Sequence, residues 1–242
     1  MKILLIGYGK MGRLIEKEAV SSGHQIVKIL DINDQWPEFS EKPDVAIEFT
    51  EPDSVVDNIK KCMQEGIPLV TGTTGWYDRL KEVKDFCSSA DSSFLYASNF
   101  SIGVNLWFDL IRDAAKRFST LTAYNPSLHE KHHEHKKDAP SGTAVTAAEA
   151  FLEQQERYDG WSLGKEDDKL YVEAVREGEV KGFHELRFQS SFDRVRISHE
   201  AFSRDGFVQG AVMAAEWLTK NKGIYDFHDV YDKVFNLNNI SK

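Results

Sequence analysis

Residues 129–143 read His-Glu-Lys-His-His-Glu-His-Lys-Lys-Asp-Ala-Pro-Ser-Gly-Thr, which puts four of the chain's eight histidines within seven positions. Imidazole titrates near neutral pH, so this density suits a site that moves protons or holds an anion. Lys136 adds a fixed positive donor. Pro140 and Ser141 are residues that open helices, and Gly142, having no side chain, lets a ligand approach the N–H groups of a first helical turn. The expected chemistry is proton transfer beside a bound anion, most simply a carboxylate, with Ser141, Gly142 and Thr143 as its seat.

Two other readings compete. A polar run of mixed charge is commonly a solvated face, although such faces seldom concentrate histidine. His129-Glu130-Lys131-His132-His133 also matches H-E-x-x-H, a zinc pattern that needs a helix to turn both histidines the same way. Asn125-Pro126 and an extended-looking stretch at 121–128 lie upstream, and Asp138-Ala139-Pro140 interrupts downstream, so that helix has no room. No later segment offers an obvious third ligand, and no metal is expected.

A second chemistry stands at the N-terminus. Ile3 to Ile6 is an apolar run followed by Gly7-Tyr8-Gly9-Lys10-Met11-Gly12 and then a helical pattern from Lys10 to Ser21. Strand, glycine turn and helix form the setting in which G-x-G-x-x-G binds a dinucleotide: Gly7 makes the turn, Gly9 admits the pyrophosphate and Gly12 packs helix on strand. Asp31 closes the next strand, Gln25 to Leu30, nineteen residues after Gly12, where a carboxylate can accept the adenosine ribose hydroxyls.

The elements that must position these groups alternate. Strands are expected at Asp44–Phe49, Pro68–Thr71 and Phe94–Ala97, with helices at Glu51–Glu65 and Trp76–Ala90 between them. Such alternation implies a parallel sheet covered on both faces, with ligands beyond the carboxyl ends of its strands. Gly72-Thr73-Thr74-Gly75 and Ala97-Ser98-Asn99-Phe100 then join the first glycine turn at one crevice.

After Ser101 the pattern changes. A helix is expected at Val104–Phe118, extended segments at Thr120–Tyr124 and Ser127–Glu130, and then the His-rich loop. A helix at Gly142–Gln155 and a polar loop at Tyr158–Asp168 follow. Strands are expected at Leu170–Arg176, His184–Ser190 and Arg194–Phe202, the last with Val195 and Ile197 inward. A helix at Phe207–Thr219 and a tail, Ile224–Phe235, return to the first domain. The fold class expected is α/β: a Rossmann-type parallel sheet domain (1–102 and 205–242) plus a mixed α+β domain with an open sheet (103–204).

Composition sets limits. A net charge of −9 gives no basic excess to neutralise phosphates, so neither a nucleic acid nor an anionic membrane is an expected partner. Cys62 and Cys87 alone cannot build a disulfide framework, and a reducing cytoplasm is the expected compartment. The first apolar run is a buried strand and not a signal peptide, and no run reaches the length of a membrane span.

A nicotinamide site together with a His/Lys/Ser-Gly-Thr anion site implies hydride transfer to a small carboxylated substrate. The run Glu130 to Ala144 resembles the signature of the 4-hydroxy-tetrahydrodipicolinate reductases, also called dihydrodipicolinate reductases, of the diaminopimelate route to lysine. The likeness continues through Gly72-Thr73-Thr74-Gly75, Ser98-Asn99-Phe100-Ser101, Arg176-Glu177-Gly178 and Gly223-Ile224-Tyr225-Asp226-Phe227. Many members carry one more residue in the first glycine turn, and the region Asn33 to Lys42 is trimmed here.

The resemblance implies reduction of a small dicarboxylate by NADH or NADPH, with His132 and Lys136 as the proton-handling pair. His133, Ser141, Gly142 and Thr143, with Lys136, would hold the carboxylates. The cofactor would lie on Gly7, Tyr8, Gly9, Lys10, Met11, Gly12, Asp31, Phe49, Gly72, Thr73, Thr74, Ser98, Asn99 and Phe100. It also implies a homotetramer formed through the open sheet. Asp31 alone favours NADH, whereas Lys10 in the glycine turn offsets its charge, so both cofactors are expected. A non-catalytic NAD(P)-sensing regulator is the alternative from another class, and a zinc hydrolase is a third reading.

Overall fold

Strand β1 (Lys2–Ile6) is apolar on both sides: Ile3 and Leu5 pack into one core and Leu4 and Ile6 into another. A strand of this kind belongs at the centre of a sheet buried on both faces. The computed structural model describes residues 1–235 and 237, and it divides into two units, Met1–Ile102 with Asp205–Lys242, and Gly103–Arg204.

In the first unit β1 is followed by α1 (Lys10–Ser21), β2 (Gln25–Leu30), β3 (Val45–Glu48), α2 (Pro52–Gln64) and β4 (Leu69–Thr71). A 3-10 turn at Tyr77–Arg79 then leads into α3 (Leu80–Ser89) and β5 (Phe94–Tyr96). α2 starts with Pro52 in its first turn, with Asp53 beside it, and stops where Gly66 takes a φ of 63°, a left-handed stop that glycine adopts without strain. Where a single helix was expected from Trp76, the chain first makes the 3-10 turn. Trp76 is buried there, and its Nε1 donates to the Thr73 carbonyl at 2.7 Å, which fixes the turn before the helix begins.

All pairings in this sheet are parallel, in the order β2-β1-β3-β4-β5 and then a strand from the C-terminal segment. The order reverses between β1 and β3, so the turns that leave these two strands diverge and open a crevice at their carboxyl ends. On one face α2 and α3 contribute Val55, Val56, Ile59, Val83 and Cys87 to the core. On the other, α1 contributes Ile15 and Ala19. Each fully buried aliphatic side chain of this kind contributes roughly 1.5–3 kcal/mol relative to exposure.

The second unit runs α4 (Ile102–Phe118), β6 (Asn125–His132), α5 (Gly142–Leu152), β7 (Trp161–Ser162), β8 (Leu170–Arg176), β9 (Phe183–Gln189) and β10 (Arg194–Glu200). Its sheet is mixed, in the order β10-β9-β6-β8-β7. β6 is antiparallel to β9 and parallel to β8. α4 and α5 cover one face, where Trp107, Phe108, Ile111, Ala147 and Phe151 meet Leu128, Val172, Leu186 and Phe188.

Four expectations for this unit need correction. Thr120–Tyr124 is not extended but a turn, in which Tyr124 N donates to Leu121 O at 3.0 Å; α4 runs to Phe118 and the chain must reverse to enter β6. Lys131 and His132 are not loop but strand, because β8 pairs with both and β9 with Lys131, which overrides their polar character. The polar stretch Tyr158–Asp168 includes the short β7, and Val195 is 37 % exposed while Ile197 alone turns toward the helix-side core.

The chain then returns to the first unit as α6 (Asp205–Leu218), β11 (Ile224–Asp226) and α7 (Phe227–Val234). Val208, Val212, Ala215 and Leu218 of α6 pack in the same core as α1, and β11 adds a sixth parallel strand beside β5.

Candidate functional site

In the first unit the glycine turn is tight because its neighbours leave no choice. Gly7 has a φ of 90°, and a Cβ there would stand 2.0 Å from the Phe49 carbonyl oxygen. A Cβ on Gly9 would meet nothing within 4 Å, so one position of the turn is closed by protein and the next is open to a ligand. A cavity of about 510 Å³ lies against Gly7, Tyr8, Gly9, Asp31 and Phe49. Asp31 accepts from Tyr8 N at 3.3 Å, which puts its carboxylate beside the turn. A glycine turn, an adjacent carboxylate and an open approach fit the ribose and pyrophosphate of a dinucleotide.

The remaining cofactor candidates fall into three groups. Phe49 lies against Gly72, where a Cβ would stand 2.2 Å from its Cε1, and Thr73 is buried, its Oγ1 accepting from Thr50 N at 2.8 Å. Lys10, Thr74 and Ser98 are exposed, and Lys10 does not line the cavity. Met11 packs at the edge of the core, Asn99 is buried with its Oδ1 accepting from Ser101 N at 2.8 Å, and Phe100 is a core residue whose ring lies 4.9 Å from that of Phe227.

Sequence reasoning missed what joins these turns. Glu48, fully buried at the end of β3, accepts from the hydroxyls of Thr50, Thr71 and Thr73 and so binds the turn after β3 to the turn after β4. Burial pushes its carboxyl up, and the hydroxyls oppose that shift. Trp36 and Lys61 were also missed: both line the cavity, and the Trp36 indole N–H is buried without a partner.

In the second unit, β6 brings Glu130 and His132 to one side of the strand and His129 to the other, as a period of two requires. His129 is occupied there, its Nδ1 2.6 Å from Glu173 and its Nε2 2.8 Å from the Ser127 hydroxyl. The H-E-x-x-H pattern therefore starts on a strand and runs off its end at His133, so no helical turn brings its two histidines to one side. His132 is buried beside Glu130, with Nδ1 3.1 Å from Oε2. The His184 ring packs edge-on against it at 5.0 Å.

Past His132 the chain turns. Lys136 Nζ donates to Asp138 at 2.8 Å, and the Lys136 carbonyl accepts from Arg176 Nε at 3.2 Å. Arg176 Nη2 donates to Glu130 Oε1 at 3.1 Å and also to the Asp138 carbonyl, so one guanidinium holds both ends of the loop. His133 is half-buried, and burial with Arg204 nearby pushes its imidazole below the usual histidine range.

Ser141 caps α5, its hydroxyl accepting from Ala144 N at 3.2 Å while its own N–H donates to Glu130 at 3.0 Å. A Cβ on Gly142 would meet nothing within 4 Å, so the first turn of α5 is open at Gly142 with Thr143 next to it. Glu130 and Arg176 lie in stretches that carry the family resemblance, but neither they nor His184 are among the site residues expected from sequence.

Comparison with known proteins places the chain in a family. The N-terminal model of dihydrodipicolinate reductase matches residues 1–100 and the C-terminal model of the same family matches residues 103–231. A 4-hydroxy-tetrahydrodipicolinate reductase of Christiangramia forsetii is 42% identical over 97% of this chain and 99% of its own. One from Methanoculleus marisnigri is 36% identical over 78% of this chain and 76% of its own. A dipicolinate-bound dihydrodipicolinate reductase from Paenisporosarcina sp. TG-14 superposes with a TM-score of 0.75 over 95% of this chain and 99% of that one; at 23% identity this likeness speaks for the fold. With a Rossmann-type unit, a second mixed-sheet unit and both family models matched in order, the chain belongs to the dihydrodipicolinate reductase family of NAD(P)H-dependent oxidoreductases.

Proposed function

We propose that His132 and Lys136 handle the proton, and that His133, Ser141, Gly142 and Thr143 with Lys136 hold the two carboxylates, in the reaction of this family. That reaction is the NAD(P)H-dependent reduction of 4-hydroxy-tetrahydrodipicolinate to tetrahydrodipicolinate in the diaminopimelate route to lysine. The observation that carries the reading is the frame built by Arg176 and Glu130, which gathers His132, the Lys136 loop and the Ser141 cap around one buried ion pair.

The chemistry follows from those groups. A bound nicotinamide supplies a hydride. Electron density then collects on the substrate's ring nitrogen, and a proton or a cation must meet it. His132 can deliver the proton, and Lys136 can stabilise the developing charge or hold a carboxylate. Donors at Gly142, Thr143 and His133 fix orientation, since two carboxylates cannot be satisfied by apolar walls.

For the cofactor, the reading is that both NADH and NADPH are used. Asp31 at the cavity disfavours an added phosphate, while Lys10 in the glycine turn and Lys61 on the cavity wall are the cations that offset it. Michaelis constants within about tenfold of each other are expected, equivalent to about 1.4 kcal/mol. The unit 103–204 is assigned substrate binding and oligomerisation, the rest dinucleotide binding. A homotetramer through the open sheet is supported by exposed Phe192 and Phe202 at its rim, 72 % and 84 % accessible.

The compartment is read as cytoplasm, with no nucleic-acid or membrane partner. No helix among the described residues is long and apolar enough to cross a membrane. No metal is assigned a part. A non-catalytic regulator would have no use for a proton-handling pair, and the test is oxidation of NADH and NADPH on addition of freshly generated substrate.

A further inference from the structure

Glu130 is fully buried, and nothing in the reaction described above uses it. A buried carboxylate is costly unless it is paired and hydrogen-bonded, so its neighbours state its purpose. Oε1 accepts from the Ser141 N–H at 3.0 Å and from Arg176 Nη2 at 3.1 Å. Oε2 lies 3.1 Å from His132 Nδ1 and 3.8 Å from His184 Nε2. Burial works to raise the Glu130 carboxyl, but His132 and Ser141 overcome it and hold the group down to about 2. His184 is pushed down to about 3 by burial and then by His132, so its ring is kept neutral.

The other edge of the His132 ring is shaped as well. A Cβ on Gly182 would stand 3.3 Å from His132 Nε2, tighter than most such contacts, and 3.6 Å from Cδ2, an ordinary one. Nδ1 therefore faces a fixed anion, and Nε2 faces Gly182, which carries no side chain. Nδ1 and Oε2 are within reach but not well aligned, and neither has another hydrogen-bond partner among the described residues. Catalytic hydrogen bonds are often loose before substrate binds and tighten with it.

We propose that Glu130 is the positioning residue for His132: its ionised carboxylate, anchored by Arg176 and the Ser141 N–H, accepts a hydrogen bond from Nδ1–H, so that the ring, once protonated at Nε2 from solvent, gives that proton to the substrate nitrogen and returns to the neutral Nδ1-protonated form. This rests on the assignment of His132 as the proton donor. A neutral imidazole has two tautomers, and only one presents Nε2 as the working nitrogen; a carboxylate at Nδ1 selects it and stabilises the charged ring. Because the same ion pair holds the Lys136 loop and the Ser141 cap, one anion sets the acid, the lysine and the carboxylate seat in a common frame.

Glu130, His132 and His184 also carry ligand-type atoms within 4.8 Å of one another, the spacing of a metal site. Arg176 already neutralises the carboxylate, which leaves a divalent cation facing a guanidinium, and the positioning role accounts for the same geometry without an ion.

Glu130→Gln keeps the side chain's volume and an oxygen for Ser141 N–H while removing the charge. The full chain, with ¹⁵N-labelled histidine, is compared with wild type by ring-nitrogen NMR, steady-state kinetics, elemental analysis and titration with dipicolinate. The His132 signals are assigned through His132→Gln. The proposal expects the Nδ1-protonated tautomer of His132 in wild type and its loss in Glu130→Gln. It also expects kcat lower by about 10²-fold, dipicolinate affinity within about threefold, and partial recovery in Glu130→Asp.

A kcat within about threefold of wild type, an Nε2-protonated neutral ring in wild type, or stoichiometric zinc that Glu130→Gln releases would overturn it. The wild-type tautomer decides the matter even if the variant does not fold. Absence of reductase activity in wild type would count against the function and not against the tautomer.

Discussion

Gly12 lies so close to Gly7 that a Cβ added at Gly12 would stand 2.1 Å from the Gly7 carbonyl oxygen, and a Cβ at Gly7 would itself collide with Phe49. Two of the three glycines in the turn are thus demanded by protein packing, and only Gly9 is open. Gly7→Ala and Gly12→Ala are expected to lower stability by about 2 kcal/mol or more, the scale of enforced strain. Gly9→Ala, whose φ of −76° suits alanine, should unfold like wild type but bind NADH at least about tenfold more weakly, because the methyl occupies the pyrophosphate approach. Urea unfolding and fluorescence titration separate the two effects, and equal losses of stability in all three variants would contradict the assignment.

His184 predicts a pH dependence. Its imidazole is held at about 3 by burial and by His132, against an ordinary value of 6.5. Between those values the unfolded chain takes a proton that the native ring refuses, so stability present above about pH 6.5 is lost as the pH falls, by up to about 1.4 kcal/mol per unit from this group. Glu130, depressed to about 2, adds a loss in the same direction below its ordinary 4.5. Urea unfolding at pH 7, 6 and 5 should show a shallower fall for His184→Gln than for wild type. Parallel curves would mean that the native ring takes up the proton.

Cofactor choice is tested at Asp31. Removing its carboxylate from beside Tyr8 N takes away both a ribose acceptor and a charge that repels phosphate. Asp31→Ala should shift the ratio of Michaelis constants toward NADPH by about tenfold. Lys10→Ala should shift it the opposite way. An unchanged ratio in Lys10→Ala would leave Lys61 on the cavity wall as the cation that reads the phosphate.

Oligomerisation is tested by light scattering at micromolar concentration, where a homotetramer is expected. Val195 of β10, with Phe192 and Phe202 at its two ends, is exposed, and Phe202→Glu should weaken the assembly. A monomeric wild type would contradict the role given to the open sheet.

Local signals made much of this fold legible. β2 and α1 were expected at the bounds they occupy, because apolar periodicity and the glycine turn mark both ends. β11 was not, since three half-buried residues carry no period and gain strand character only by pairing with β5. The chemistry of the candidate site was legible at His132, Lys136 and Ser141, which lie close in sequence. Arg176 and His184 were not, because they reach Glu130 from β8 and β9 and only strand register brings them there. Glu48 and Glu130 were hidden for another reason: a single acid inside a strand gives no sign that it is buried until its hydroxyl, amide and guanidinium partners are in place.

The central claim is that His132 and Lys136 move the proton for nicotinamide-dependent reduction. The most direct measurement is the turnover of wild type, His132→Gln and Lys136→Ala with freshly generated 4-hydroxy-tetrahydrodipicolinate, followed by loss of NADH or NADPH absorbance, with cofactor affinity measured separately. Turnover should fall by about 10²- to 10⁴-fold in both variants while cofactor affinity stays within a few-fold. Near-normal turnover in both would contradict the account.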